Sequence, residues 1–115
     1  GTTSFFPSKN LGCYGDGGAI FTNNDKIAKN LKMIANHGQE VKYYHKVIGC
    51  NSRLDSIQEE ILNIKLKYLN NYNISRNLMA DSYNKAFTSV KGLQTPQVIQ
   101  NSTHAYHQYT LKPLS

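Results

Sequence analysis

The sequence predicts an α/β fold. Two short strands, 4–8 and 19–22, flank a glycine-rich turn near the start of the chain. Apolar residues then recur at helical spacing twice, over 25–35 and, in a longer stretch, over 54–87. A polar linker and a further extended run, 103–111, complete the pattern.

Residues 4–8 read as a strand whose end Pro7, with no N–H to give a ladder, moves to a sheet edge or exit. Gly12, Gly15, Gly17 and Gly18 supply turn conformations that other residues enter only at a cost. Ala19–Thr22 is the partner strand. Lys9 falls at the end of the first strand, on irregular backbone that another group can approach closely. By spacing alone this is an ordinary surface hairpin with a solvated lysine.

Asn23-Asn24-Asp25 starts a helix, with capping side chains followed by an acid in the first turn. Ile27, Leu31, Ile34 and Ala35 form one stripe that the spacing predicts to be buried. Lys26, Lys29 and Lys32 lie off it and read as solvated. Asn36-His37-Gly38 ends the helix, with Gly38 where a left-handed cap is expected and His37 capping or packing beside it. Residues 39–50, with Tyr43, Tyr44 and His45, read as a polar and aromatic loop.

Asn51 or Ser52 is placed to cap a long helix carrying Leu54, Ile57, Ile61, Ile64 and Tyr68. The pattern slips at Asn70-Asn71-Tyr72-Asn73 and resumes through Ile74, Leu78, Met79, Tyr83 and Phe87. Heptads are not sustained, so a coiled coil is disfavoured. A helix with a weak or bent centre, passing from one domain to the next, fits better. Gly92 and Pro96 mark a linker. Thr103–Leu111 then reads as a strand, on which His104 and His107, three apart, point to opposite faces. With no acidic or cysteine partner nearby, no metal site is expected.

The 115 residues carry a formal net charge of +6. Eleven of the thirteen basic residues are lysines, mostly scattered, and only Arg53 and Arg76 are arginines. Base-edge readout leans on arginine, so no nucleic-acid partner is expected. Thirteen asparagines and eight tyrosines fit the codon bias of an AT-rich genome. Cys13 and Cys50 stand far apart and form no Cys-x-x-Cys pair, which fits a reducing compartment. No apolar run approaches the ~20 residues that span a bilayer, and no leader is visible. A cytoplasmic protein without a membrane segment is the expectation. Gly1 and Ser115 both lie beside predicted strands, so the chain reads as an internal piece of a longer one with an incomplete core.

Three strings carry more information than spacing does. Ser4–Phe21 (SFFPSKNLGCYGDGGAIF), Asn51–Gln58 (NSRLDSIQ) and His104–Tyr109 (HAYHQY) together resemble the DegT–DnrJ–StrS family, the pyridoxal-phosphate-dependent sugar aminotransferases. The resemblance covers almost the whole chain, with the strings in the family's order. It implies the aspartate-aminotransferase-like fold, fold type I of the pyridoxal-phosphate-dependent transferases. Residues 1–52 would be the last part of the large domain, 53–91 an interdomain helical segment, and 92–115 the opening of the small domain.

By the same resemblance, Lys9 is the catalytic lysine, holding pyridoxal 5'-phosphate as a Schiff base and later moving a proton as a free amine. Such an amine must be neutral near pH 7, which desolvation or a nearby cation would favour. Ser4 matches the serine that binds the cofactor phosphate, although a strand-start hydroxyl bonded to backbone is the plain alternative. Asn51 matches an asparagine that reaches the phosphate from the other subunit of a homodimer; otherwise it is a helix cap. Arg53 matches a position that approaches the nucleotide-sugar substrate across that interface, and its planar fork suits phosphate oxygens.

The acid for the pyridinium nitrogen and the group covering the ring would lie before Gly1. Asp16, in a glycine turn, reads as a turn cap rather than a substitute for that acid. Residues 39–50 would make a contact near the dimer interface, and HAYHQY would be structural. Two departures stand out: Ala35 replaces a usual arginine before Asn-His-Gly, and Glu59-Glu60 replace two alanines.

The implied reaction moves an amino group, usually from glutamate, to a nucleotide-linked keto sugar, giving an amino sugar for a polysaccharide, glycan or antibiotic. Dehydratase relatives carry histidine at the lysine position, so Lys9 favours the aminotransferase. An aromatising relative keeps the lysine, and that chemistry stays open. From a different class, a non-catalytic helical module binding polyanions through its lysines would show salt-sensitive binding and no chromophore.

Overall fold

Antiparallel pairing of Thr2–Ser4 (β1) with Gly18–Ile20 (β2) clamps the two ends of the glycine-rich segment, with Thr3 opposite Ala19 and Ser4 opposite Gly18. In this computed structural model, which describes residues 1–114, β1 lies earlier than the predicted 4–8. The reason is where the backbone bonds go. Phe5 N–H still donates to Gly17 O at 2.8 Å, but Phe5 O accepts from Cys13 N at 2.8 Å. Lys9 N–H then donates to Phe6 O at 2.9 Å, closing a turn over Pro7 and Ser8. Lys9 therefore sits within the loop and not at the strand's end.

The helix Asp25–Ala35 (α1) begins as expected: Asn24 Oδ1 accepts from Ile27 N at 3.1 Å. Its end uses two successive left-handed residues, His37 (φ 59°) and Gly38 (φ 74°). A Cβ on Gly38 would meet Val47 O at 1.7 Å, so glycine is required for two reasons at once. The predicted buried stripe is not buried. Ile27 is 49% and Ile34 42% exposed, and Leu31 and Ala35 are only half-buried, beside Thr2, Thr3, Ala19 and Ile20.

Residues 39–50 are more ordered than a loop. Gln39–Val41 (β3) pairs with Tyr44–His45 (β4), with a register shift between Gln39 and Val41. The hairpin is fastened to α1 by Glu40, whose carboxylate meets Lys29 Nζ at 2.5 Å and also pairs with Lys46. Lys29 is thus an ion-pair partner as well as a solvated side chain.

The predicted caps Asn51 and Ser52 do not cap a helix. Asn51 forms a bridge with Asn36, and Ser52 N–H donates to Ala35 O at 2.9 Å. That extended course beside the end of α1 postpones the next helix, Ser56–Leu66 (α2), whose N-cap is Asp55. Glu59 and Glu60 are both exposed on it. A third helix, Leu69–Phe87 (α3), follows after a break at Lys67–Tyr68. The break precedes the predicted slip at 70–73, since those asparagines sit near the start of α3, where polar side chains interrupt helical bonding least.

The run 103–111 is irregular and not a strand; only Lys112–Pro113 (β6) is extended, paired with Leu93–Gln94 (β5). Its carbonyls explain this. His104 O accepts from Asn77 Nδ2 (3.0 Å), Tyr106 O and His107 O from Arg76 Nη1 (3.1 and 3.3 Å). Tyr106 takes a left-handed conformation (φ 42°). The argument that His104 and His107 face opposite sides falls with the strand. His104 Nδ1 accepts from Tyr106 N at 2.9 Å, a structural role. Among the described residues no group of three or more His, Cys, Asp or Glu side chains gathers to hold a metal. Likewise, no helix among them is long and apolar enough to cross a membrane.

Little of the chain is inside anything. Among the described residues the buried apolar side chains are Cys13, Leu62, Ala80 and Tyr106, while Ile48 is 97% exposed. The radius of gyration is 19.7 Å, against about 13 Å for a compact domain of this size. The 115-residue chain alone is therefore expected to lack a sharp thermal unfolding transition; calorimetry showing a cooperative two-state peak would contradict this.

Glu40 generates a second expectation. The side-chain bonds from Lys29 and Lys46, then their charges, lower its pKa from 4.5 to about 2. A depressed folded-state pKa gives stability that is present above the unfolded value and lost as pH falls toward the folded one. In the full-length protein, amide-exchange protection of residues 39–46, corrected for intrinsic rates, should fall between pH 4.5 and about 2. Glu40→Gln should remove that dependence.

Candidate active site

The loop between β1 and β2 presents Lys9 to a cleft of about 810 Å³, lined also by Ser4, Phe5, Asn10, Leu69 and His107. Lys9 is half-buried there. Ser4 Oγ accepts from Phe6 N at 3.2 Å. That is the plain backbone-bonding alternative, and it leaves the hydroxyl's own O–H free to donate. The cleft thus combines an amine and a hydroxyl donor with apolar walls from Phe5, Leu11, Leu66 and Leu69. These residues fit a flat, phosphorylated aromatic group: apolar surface for a ring, a donor for a phosphate oxygen, and a nucleophilic nitrogen.

The loop is held from several sides. A Cβ on Gly12 would lie 2.6 Å from Pro7 O and 2.7 Å from Phe6 O, so the turn around Lys9 closes only over a glycine. Cys13 Sγ has one S–H to share between two carbonyls of the loop, Phe5 O at 3.0 Å and Gly15 O at 2.9 Å. From α2, Lys65 Nζ donates to Gly12 O at 2.6 Å and lies 4.5 Å from the centre of the Tyr14 ring. Gln58 Oε1 accepts from Tyr14 N at 2.7 Å. From α3, Asn73 Oδ1 accepts from Asn10 Nδ2 at 2.8 Å.

Asn51 and Arg53 line a different cleft, about 430 Å³, together with Asp16, Gly17 and Leu54. Arg53 Nε donates to Asn51 Oδ1 at 2.9 Å, which leaves the Asn51 amide N–H₂ and the Arg53 fork tip available. Asp16 is exposed, and among the described residues its carboxylate makes no hydrogen bond, so it is not the expected turn cap. The fold brings Ser4 to Lys9, and Asn51 to Arg53, but not the two pairs to one cleft.

Four residues at the Lys9 site escaped the sequence reading. Lys65 was one of many scattered lysines, and Gln58 one letter of a string. Their signal was the spacing Gln58, Leu62, Lys65, which places all three on one helix face. Asn10 and Asn73 had no such signal, since they meet across 63 positions of sequence.

Gly12→Ala in the full-length protein is expected to displace the Lys9 loop, because the obstructing atoms are backbone and cannot rotate away. A 1 Å shift of a reacting group costs roughly 10²-fold in rate. Turnover should drop by about that factor while far-ultraviolet circular dichroism is unchanged.

Known proteins match this chain over nearly its whole length. Residues 1–113 match the model of the DegT/DnrJ/EryC1/StrS aminotransferase family. The chain is 47% identical over 110 residues to the UDP-2-acetamido-2-deoxy-3-oxo-D-glucuronate aminotransferase of Pseudomonas aeruginosa, covering 96% of this chain and 30% of that protein. It superposes on S. venezuelae DesV, solved in complex with a ketimine intermediate, with a TM-score of 0.90 and 37% identity, over 97% of this chain and 30% of that one. It also superposes on NtdA of Bacillus subtilis, solved with the cofactor PMP bound, with a TM-score of 0.84 and 31% identity, over 97% and 27%. The chain therefore spans about 30% of the length of the relatives it matches. Its strands and helices are a portion of the fold type I aminotransferase architecture, and it belongs to the DegT/DnrJ/EryC1/StrS aminotransferase family.

Proposed function

We propose that the protein to which this chain belongs is a pyridoxal-phosphate-dependent aminotransferase that passes an amino group from glutamate to a nucleotide-linked keto sugar. The observation that carries the reading is the cleft holding Lys9, on the loop, and Ser4, at the end of β1, with apolar walls beside them. The bound cofactor would act as an electron sink for the substrate carbon. Lys9 Nζ would hold it covalently at rest and, once free, would carry a proton to and from that carbon. Ser4 O–H donates to its phosphate. The relative from P. aeruginosa, named for a UDP-linked keto sugar, supports the substrate class.

Asn51 and Arg53 serve the other subunit of a homodimer, Asn51 on the cofactor phosphate and Arg53 on the nucleotide diphosphate. Their placement in a cleft apart from Lys9 supports that division of labour. Residues 1–52 form the end of the cofactor-binding domain, 53–91 the helical crossing and 92–115 the entry to the small domain. The free thiols Cys13 and Cys50 support a cytoplasmic location.

Borohydride reduction of the full-length protein with pyridoxal phosphate, followed by peptide mapping, tests the reading. The label is expected on Lys9. Lys9→Ala should abolish the label and lower amino transfer by at least the ~10²–10⁴-fold typical of losing a general acid–base group. A label elsewhere, or none, would overturn it. Arg53→Ala, by contrast, should raise KM for the nucleotide sugar about tenfold or more and leave the labelling of Lys9 intact.

A further inference from the structure

We propose that Asn10 is a positioning residue for Lys9, fixing the lysine's loop to the interdomain helix and to the segment that opens the small domain. Its amide nitrogen donates two bonds, to Asn73 Oδ1 on α3 at 2.8 Å and to Ala105 O at 2.7 Å. The amide orientation follows from chemistry. Ala105 O is an acceptor whatever the side chains do, so the Asn10 N–H₂ must face it. Its second hydrogen then requires the oxygen of Asn73.

These bonds join three stretches that are remote in sequence. The junction is firm on each side. Ala105 lies within the run whose neighbouring carbonyls are held by Asn77 and Arg76. Asn73 O in turn accepts from Asn77 Nδ2 at 2.8 Å, so the α3 residue that meets Asn10 is bonded to the residue that holds His104. Asn10 is the next residue after Lys9, and both line one cleft with Asn73, Ala105 and His107. A shift of α3 against the large domain is thereby transmitted to the lysine's own backbone. The Lys9 N–H bond to Phe6 O and the Lys65 bond to Gly12 O hold the loop's shape. Asn10 sets its place relative to the crossing helix.

This inference rests on Lys9 being the reacting amine, and the test separates the two. Asn10→Ala, Asn73→Ala and the double variant are made in the full-length protein, with wild type and Lys9→Ala as references. Borohydride labelling of wild type at Lys9 secures the reading on which the inference rests; absence of that label overturns the reading itself. Given the label, Asn10→Ala should lower kcat by about 10–10²-fold with KM for the sugar substrate within about twofold, as expected for misplacement of a reacting group. The double variant should be no slower than the worse single one, because both remove the same bond. In the cofactor-free protein, mass-spectrometric mapping of trinitrobenzenesulfonate modification should show an altered rate at Lys9 alone among the lysines. Wild-type kcat in Asn10→Ala, multiplying losses in the double variant, or a change of reactivity spread over all lysines would each overturn the positioning role.

Discussion

The structure turns on how the backbone closes between Phe5 and Gly17. Phe5 sends its N–H across to Gly17 and its carbonyl to Cys13, so the ladder that began at Thr2 ends and a loop begins. Closing that loop demands a residue without a side chain at Gly12, where two carbonyl oxygens stand within 2.7 Å of any Cβ. Such a turn exposes carbonyls that need donors, and α2 supplies one through Lys65. An ordinary surface lysine gives up little by burying its stem and pointing its ammonium at a carbonyl and an aromatic face. The loop, and the lysine on it, is thereby tied to α2.

A similar logic governs the far end of the chain. The run from His104 to His107 has no ladder, yet each of its four carbonyls is met by a side chain from outside it: Asn77, Asn10, and Arg76 twice. Side-chain amides and a guanidinium do the work that a neighbouring strand does elsewhere. Arg76 suits this because its Nη1 carries two N–H donors, which reach successive carbonyls at once. The consequence is a polar seam between α3 and the run 104–107, with apolar help from the Tyr83–Tyr109 edge contact at 5.1 Å between ring centres. A seam of this kind is directional. It fixes register as well as distance, which a purely apolar contact between the same elements does not.

What was legible in the sequence follows from locality. The start of α1 was readable because Asn24, Asp25 and the apolar spacing all lie within a few residues of one another, and the Gly38 cap for the same reason. The resemblance strings identified the family and its fold, since they carry the family's pattern at three places in order. The errors arose where a distant partner overruled a local preference. Asn51 has the side chain of a cap, but the end of α1 takes its backbone into a bridge. Thr103–Leu111 alternates enough to read as a strand, but α3 takes its carbonyls one at a time. The stripe on α1 was correctly read as amphipathic and wrongly read as buried, because amphipathicity states what a face needs and not whether this chain supplies it. Asn10 was silent for a related reason: an asparagine's meaning depends on which two acceptors the fold brings to it.

The two clefts bear on how the proposed enzyme must be assembled. Lys9 and Ser4 share one cleft, while Asn51 and Arg53, already bonded to each other, face another. The bridge between Asn36 and Asn51 and the bonds that bind 50–52 to α1 hold the second pair in its own cleft. In the proposed homodimer neither pair has to move. Whatever the first copy lends to the second is returned by symmetry, so both sites are completed by one interface. Apolar side chains are also exposed on α1 and on the hairpin from Gln39 to His45. A surface that must meet a second copy, or the rest of its own chain, has to keep its apolar groups outward until the partner arrives. The lysine loop is the part of the proposed site that this chain holds by itself.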